Sequence, residues 1–348
     1  MKRIVQSILF SFWSITICQA QIGGTSVYNF LNVYPNARIA ALGGSAIVTP
    51  DNDMSLVLAN PSLLTKKMQN QFSMNYLRYF ADMGMGYFGY AWNTKSARPL
   101  SAGVHYINYG VFDKTDESGN IIGSFAANDF CFHFSTSRIY QNWNIGVNAK
   151  VIYSEMESYT SLGLAADVAA SWLSEDSLMM VTAVASNLGK QLISYTQNNS
   201  ENLPMNIQIG FSKKFAHNPL RLSLIAHNLQ DIGNLLYQNS GKNSGNTDLV
   251  TGQIIPEQFT LLDYAMSHLI ANSEVIFGPG FMLRFGYNNL RRRELSLPDT
   301  RTFAGFSWGF GIKINKFHFS YGSASFYADN ATNNFSIVTN LSEFYKKK

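Results

Sequence analysis

Charge is scarce in this sequence: Asp, Glu, Lys and Arg make up only 14% of 348 residues, against roughly a quarter in an ordinary water-soluble domain. So little charge excludes a surface that meets water on every side. Cysteine is scarcer, with Cys18 and Cys131 alone. Cys18 falls within a leader read below, so no internal disulfide is expected, and Cys131 reads as an inert inward thiol. Past the N-terminus there is no apolar run of about 18 residues, which excludes membrane-spanning helices. The net charge of +4 falls to about +2 once Lys2 and Arg3 leave with the leader. That excess is too small to argue for a nucleic-acid partner.

Aromatic residues and glycine are plentiful, with 25 Phe, 18 Tyr and 26 Gly. Over residues 143–314 they fall into alternating segments of about ten residues, each cut off by a turn. Met205-Asn206-Ile207-Gln208-Ile209-Gly210-Phe211-Ser212 sets Met, Ile, Ile and Phe against Asn, Gln, Gly and Ser. Phe306-Ser307-Trp308-Gly309-Phe310-Gly311-Ile312-Lys313-Ile314 repeats the pattern. Successive side chains of a strand point to opposite faces, so one face is bulky and apolar and the other polar or tiny. Such alternation over nearly the whole chain predicts an all-β fold, a transmembrane up-and-down antiparallel β-barrel.

Residues 1–20 read as a secretory signal peptide: Lys2-Arg3, an apolar stretch from Ile4 to Ile17, and small residues before a cut at Gln21. Residues 21–68 do not alternate. They are too apolar to stay solvated and read as an N-terminal hatch or plug of short helices and turns, with Asp51 or Asp53 as a helix cap. Residues 69–348 form the barrel. The expected strands lie near 70–80, 83–93, 100–110, 128–137, 142–154, 160–173, 178–188, 204–215, 219–229, 266–277, 280–289, 303–314, 316–326 and 333–344, about 14 in all.

Connector lengths alternate as well. Short turns follow the even-numbered strands, and long connectors span 111–127, 189–203, 230–265 and 290–302. Short periplasmic turns and long outer loops fit a bacterial outer-membrane barrel with a periplasmic N-terminus. Expected lipid-facing residues include Phe130, Phe132, Phe134, Ile145, Val147, Val151, Leu162, Leu164, Val168, Trp172, Phe281, Leu283, Phe285, Phe317, Phe319 and Tyr321. Expected inward residues include His133, Asn144, Asn148, Lys150, Asp167, Arg221, His227, Arg284, Lys313 and His318. A Lys or Arg facing mid-bilayer lipid costs about 2–4 kcal/mol.

Motifs that resemble catalytic or nucleotide sites have simpler readings. Gly305-Phe306-Ser307-Trp308-Gly309 matches a nucleophile elbow, but that motif needs a strand-to-helix turn, and here it sits within an alternating strand. Gly84-Met85-Gly86-Tyr87-Phe88-Gly89 has the dinucleotide-binding spacing with no helix after it. The six histidines show no metal-ligand spacing. No catalytic, cofactor-binding or metal-binding residue is expected. The longest connector carries Lys242 and Asn243 and ends in an apolar Phe259-Thr260-Leu261-Leu262 run. With Arg291-Arg292-Arg293-Glu294, it supplies the candidate partner-binding loops.

Several motifs carry a family resemblance. Asn29-Phe30-Leu31, the run from Ala37-Arg38 to Gly43-Gly44, and Asn60-Pro61 resemble the hatch of the PorV/PorQ group of FadL-like outer-membrane barrels. Gly286-Tyr287-Asn288 with residues 291–294, and the run from Ala304 to Gly311, are similar to PorQ-like members. Ser62 departs from the alanine expected after Asn-Pro, a small-for-small exchange. The resemblance implies a 14-stranded barrel in the type IX secretion system of Bacteroidota. It also implies a non-enzymatic scaffold that anchors a PorZ-like surface protein. That partner belongs to an attachment complex with PorU- and PorV-like proteins, which processes cargo and joins it to lipopolysaccharide. The alternative is a FadL-like transporter of hydrophobic small molecules.

Overall fold

Strand pairing follows chain order all the way round. The computed structural model describes residues 26–80, 83–196, 200–232, 260–278, 280–295, 302–327 and 330–345. The leader, and Lys242, Asn243 and Phe259, lie outside them. The first seven strands are β1 Gln71–Arg78, β2 Gly84–Asn93, β3 Pro99–Thr115, β4 Ile121–Tyr140, β5 Trp143–Met156, β6 Tyr159–Leu173 and β7 Met179–Ile193. The other seven are β8 Asn206–Lys214, β9 Leu220–Ala226, β10 Leu269–Ile276, β11 Phe281–Asn288, β12 Phe306–Ile314, β13 Phe317–Tyr327 and β14 Asn330–Asn340. Each pairs antiparallel with its neighbours, and β1 closes on β14 in the register Met74↔Ile337. Closure is what lipid demands, because an edge strand there would leave N–H and C=O groups without partners. No described helix is long and apolar enough to cross a membrane.

The alternation has the expected cause. In β5, Ile145, Val147 and Val151 point outward, while Asn148, Lys150 and Ser154 are buried inside. Phe132, Phe134, Leu164, Val168, Phe281, Phe285, Phe317 and Phe319 join the outer face, and His133, Asp167, Arg221, His227 and Arg284 the inner one. Lys313 and His318 are exposed at the end of the barrel that carries the short turns. Two-residue links close some of these turns: Gln141 (φ 53) begins the one between β4 and β5, and Asn315 (φ 51) the one between β12 and β13.

The wall is uneven in height: β3 and β4 have 17 and 20 residues, β9 and β10 only 7 and 8. The connector expected over 111–127 is therefore corrected. Most of it is a two-stranded ribbon continuing β3 and β4, with Val111↔Ala126 and Phe112↔Phe125 in register. Both faces of the ribbon meet water, so its sequence lacks the alternation that marks the wall. A register shift next to Gly110 (φ 90) starts it. The strand expected from 266 begins instead at Leu269, because a short helix over Leu261–Ser267 takes the preceding residues.

The core is the inside of the barrel, filled by residues 26–68. These form α1 (Ala37–Ala41) and single-turn 3₁₀ segments at Asn29–Asn32, Met54–Leu56, Pro61–Leu63 and Lys66–Met68. Asn36 caps α1 by accepting from the Ile39 N–H at 2.9 Å. Asp53 caps the Met54 turn by accepting from the Ser55 N–H. Asp51 is no cap; it bridges two arginines, as described below. Phe30 and Leu31 pack with Leu77, Met85, Ile107 and Ile152. Ile47 and Val48 pack with Val184, Ile225 and Ile270, and Met54 and Leu64 with Ala91. Each such aliphatic side chain, fully buried, contributes about 1.5–3 kcal/mol relative to exposure.

Candidate functional site

Small inward residues let the N-terminal segment approach the wall closely. A Cβ on Gly322 would lie 2.0 Å from the Ala37 carbonyl oxygen, and one on Gly146 would lie 2.2 Å from the Pro61 carbonyl carbon. Polar wall residues then hold the segment's backbone. The Ala37 N–H donates to Ser336 Oγ at 2.9 Å. The Gly43 N–H donates to Ser307 Oγ at 2.9 Å, and that hydroxyl donates to the Ala41 carbonyl at 3.0 Å. Ser307, the serine of the elbow-like motif, is thus an anchor for the plug. Asn60 Nδ2 donates to the Ile47 carbonyl at 2.7 Å and Asn60 Oδ1 accepts from the Ser62 N–H at 2.9 Å, so its side chain ties the segment to itself.

A further anchor is ionic. Arg38 donates from Nε and Nη2 to Glu274 Oε1 on β10, at 2.9 and 2.7 Å. It also pairs with Asp51, and with Asp53 at 3.3 Å. Arg221 on β9 bonds Asp51 Oδ1 at 2.6 Å and Glu274 Oε2 at 2.8 Å, while Arg284 on β11 adds a bond to Glu274 Oε1 at 3.3 Å. Three guanidinium groups thus face three carboxylates. Charges taken out of water are tolerated only when so compensated. A second pair, Lys150 and Asp167 at 2.8 Å, stands on β5 and β6. It engages Asn187 of β7, whose N–H donates to Asp167 Oδ1 and whose Oδ1 accepts from Lys150 Nζ.

Of the hatch-motif residues, Phe30, Leu31, Ala37, Arg38, Asn60 and Pro61 are buried among wall residues, and Gly43 and Gly44 take φ of 80° and 98°. Asn29 is exposed and accepts a hydrogen bond from Ser26 Oγ at 2.6 Å. Asp51, Glu274, Ser307 and Ser336 were missed as anchors. Glu274 had a visible signal: it is an acidic residue at an inward position of an alternating strand.

The long-loop end carries two helices, α2 (Leu261–Ser267) and α3 (Asn289–Leu295). Thr260 and Asp263 form a reciprocal capping box on α2. Asp263 Oδ1 also accepts from Arg293 Nη2 of α3 at 2.5 Å. Hydrogen bonds from Thr260, with Arg293 adding to them, hold the Asp263 carboxyl down at about 2. The connector expected over 290–302 is therefore corrected in its first part to a helix whose arginines turn back on the protein. Arg291 lies 4.2 Å over the Phe326 ring, and burial lowers its pKa to about 10. Arg292 Nη1 donates to the Thr302 carbonyl. Leu261 and Leu262, by contrast, are 86% and 70% exposed.

Among the described residues no group of three or more His, Cys, Asp or Glu is placed to hold a metal ion. No protein-family model and no curated protein matches the chain. Solved structures do. The Ralstonia pickettii toluene transporter TbuX is similar at a TM-score of 0.52 and 10% identity, over 90% of this chain and 100% of that one. The monoaromatic hydrocarbon channel CymD is similar at 0.50 and 10% identity, over 90% and 99%. A likeness at that identity is one of fold alone: a closed β-barrel resembling FadL-like outer-membrane proteins.

Proposed function

We propose, taking that fold as premise, that this protein is a non-enzymatic outer-membrane scaffold whose long-loop end holds a surface protein. The observation that carries the reading is the filled lumen. Residues 26–68 occupy the bore, pack against the wall in four apolar clusters and are tied to it by the Arg38–Glu274 network. A bore filled and fastened in this way suits holding rather than conducting. Exposed Leu261 and Leu262, on a helix clasped to α3, supply an apolar contact at the long-loop end. The PorV/PorQ-like motifs support the finer assignment, a type IX secretion component with its N-terminus in the periplasm and a PorZ-like partner outside. PorU- and PorV-like proteins are then more distant members of the same attachment complex, and lipopolysaccharide its surroundings.

The test is retention of the surface partner in cells expressing Leu261→Asp/Leu262→Asp, and in a second strain lacking residues 238–248. Release of the partner with normal barrel insertion supports the reading; full retention in both strains sinks it.

A second reading, passage of hydrophobic small molecules, is favoured by one detail of the wall. β7 bulges at Asn187 (φ 60), and the β7–β8 ladder ends at Ser186↔Asn206, so the upper part of β7 has no ladder with β8. Two of the structures with this fold are described as a toluene transporter and a hydrocarbon channel. Toluene uptake into proteoliposomes above that of protein-free vesicles would favour this reading over the first.

A further inference from the structure

A cavity of about 120 Å³ lies at the short-turn end of the lumen, between the N-terminal segment and the wall of β1 and β11–β14. Arg284 reaches into it with a side chain 4% exposed. Its Nε shares Glu274 Oε1 with Arg38, and its Nη1 donates to Ser320 Oγ at 3.1 Å. Nη2 rests on the Met282 thioether at 3.7 Å, a weak acceptor. A guanidinium has five N–H donors, so this one is buried with donor capacity left over. Gly311 leaves room for the fork, since a Cβ there would stand 2.8 Å from Nη2.

The charges around the cavity do not balance. Arg38, Arg284 and Lys313 line it against Asp51 and Asp53, a formal excess of one positive charge with His318 counted neutral. Glu274 and Arg221 behind them cancel each other. The excess matches a monoanion better than a doubly charged phosphate. A planar guanidinium presents parallel N–H groups that fit a carboxylate. Met282 and Val338 add apolar lining, and the volume suits a few carbons rather than a long hydrocarbon chain.

We infer that this cavity binds one carboxylate carrying a short aliphatic tail, gripped by the free edge of Arg284 with Lys313 at the mouth. The group comes either from a free short-chain acid or from the C-terminal end of a polypeptide, and both present the same chemistry. The site is independent of what the long-loop end holds.

The experiment is equilibrium dialysis of the full chain in detergent against labelled propionate, propionamide, inorganic phosphate, and a short valine-ended peptide as free acid and as amide. Propionate binds saturably and propionamide and phosphate do not. Tighter binding of the acid peptide than of propionate assigns the ligand to a chain end; binding of propionate alone assigns it to the free acid. Arg284→Lys keeps the charge but loses the fork and weakens binding about tenfold. Lys313→Gln, at an exposed position that the fold does not depend on, weakens it about threefold. Equal binding of propionate and propionamide, no saturable binding, or an undiminished affinity in Lys313→Gln overturns the inference.

Discussion

Arg38 and Glu274 stand 236 residues apart in sequence and meet at 2.7 Å inside the barrel, both side chains almost wholly withdrawn from solvent. One belongs to the plug and the other to the wall, so their bond is one of those that fasten the two parts together. Glu274 also serves Arg221 and Arg284. Glu274→Gln therefore leaves three arginines against two carboxylates and destabilises the seated plug by about 3–5 kcal/mol. Limited proteolysis of the N-terminal segment in detergent checks this; cleavage no faster than in the unaltered protein counts against the latch.

Lys150 and Asp167 offer a cleaner double-mutant cycle. Lys150→Met alone strands a buried carboxylate and costs about 3–5 kcal/mol, whereas Lys150→Met/Asp167→Leu restores most of the loss. Guanidinium unfolding followed by tryptophan fluorescence measures both, and additive losses would show that the pair is not coupled.

Gly322 and Gly123 make a matched comparison. A Cβ at Gly322 meets the Ala37 carbonyl oxygen at 2.0 Å, while at Gly123 it meets nothing within 4 Å. Gly322→Ala costs about 1–3 kcal/mol by pushing α1 off the wall, and Gly123→Ala is neutral in the same unfolding assay. Equal effects would mean that the plug does not press on β13.

The α2–α3 clasp has a defined pH range. Asp263 is held at about 2 in the folded protein by Thr260 and Arg293, below its ordinary value of 3.8. A depressed carboxyl contributes its stabilisation above the unfolded value and loses it as pH falls through the folded one. The clasp is thus complete above roughly pH 4 and fails between there and about 2. A carbon-13 titration of the Asp263 carboxyl shows a midpoint near 2, raised in Arg293→Gln. A midpoint that Arg293→Gln leaves in place would remove Arg293 from the explanation.

The wall was legible in the sequence because lipid on one side and polar packing on the other force a period of two, as β5 and β12 show. The signal fades where that contrast does. Val111, Phe112, Ile121 and Ile122 lie in a ribbon exposed on both faces, so no face had to be apolar. α2 and α3 have only seven residues each, too few for a helical period to stand out. The plug's motif residues could be named from the chain, but their partners could not. Ser336 and Glu274 differ little from other small or polar inward residues until the fold brings them to Ala37 and Arg38.

The uneven wall has a consequence for the surrounding bilayer. The seven residues of β9, rising about 3.4 Å each and tilted about 40°, climb roughly 18 Å along the membrane normal, short of an apolar band of about 25 Å. Lipid tails beside β9 and β10 must shorten or splay to meet it, while those beside β4 need not. The protein therefore imposes a lopsided hydrophobic mismatch on its annulus, thin on one flank and full on the other. A neighbour that prefers thin membrane will collect on the β9 side.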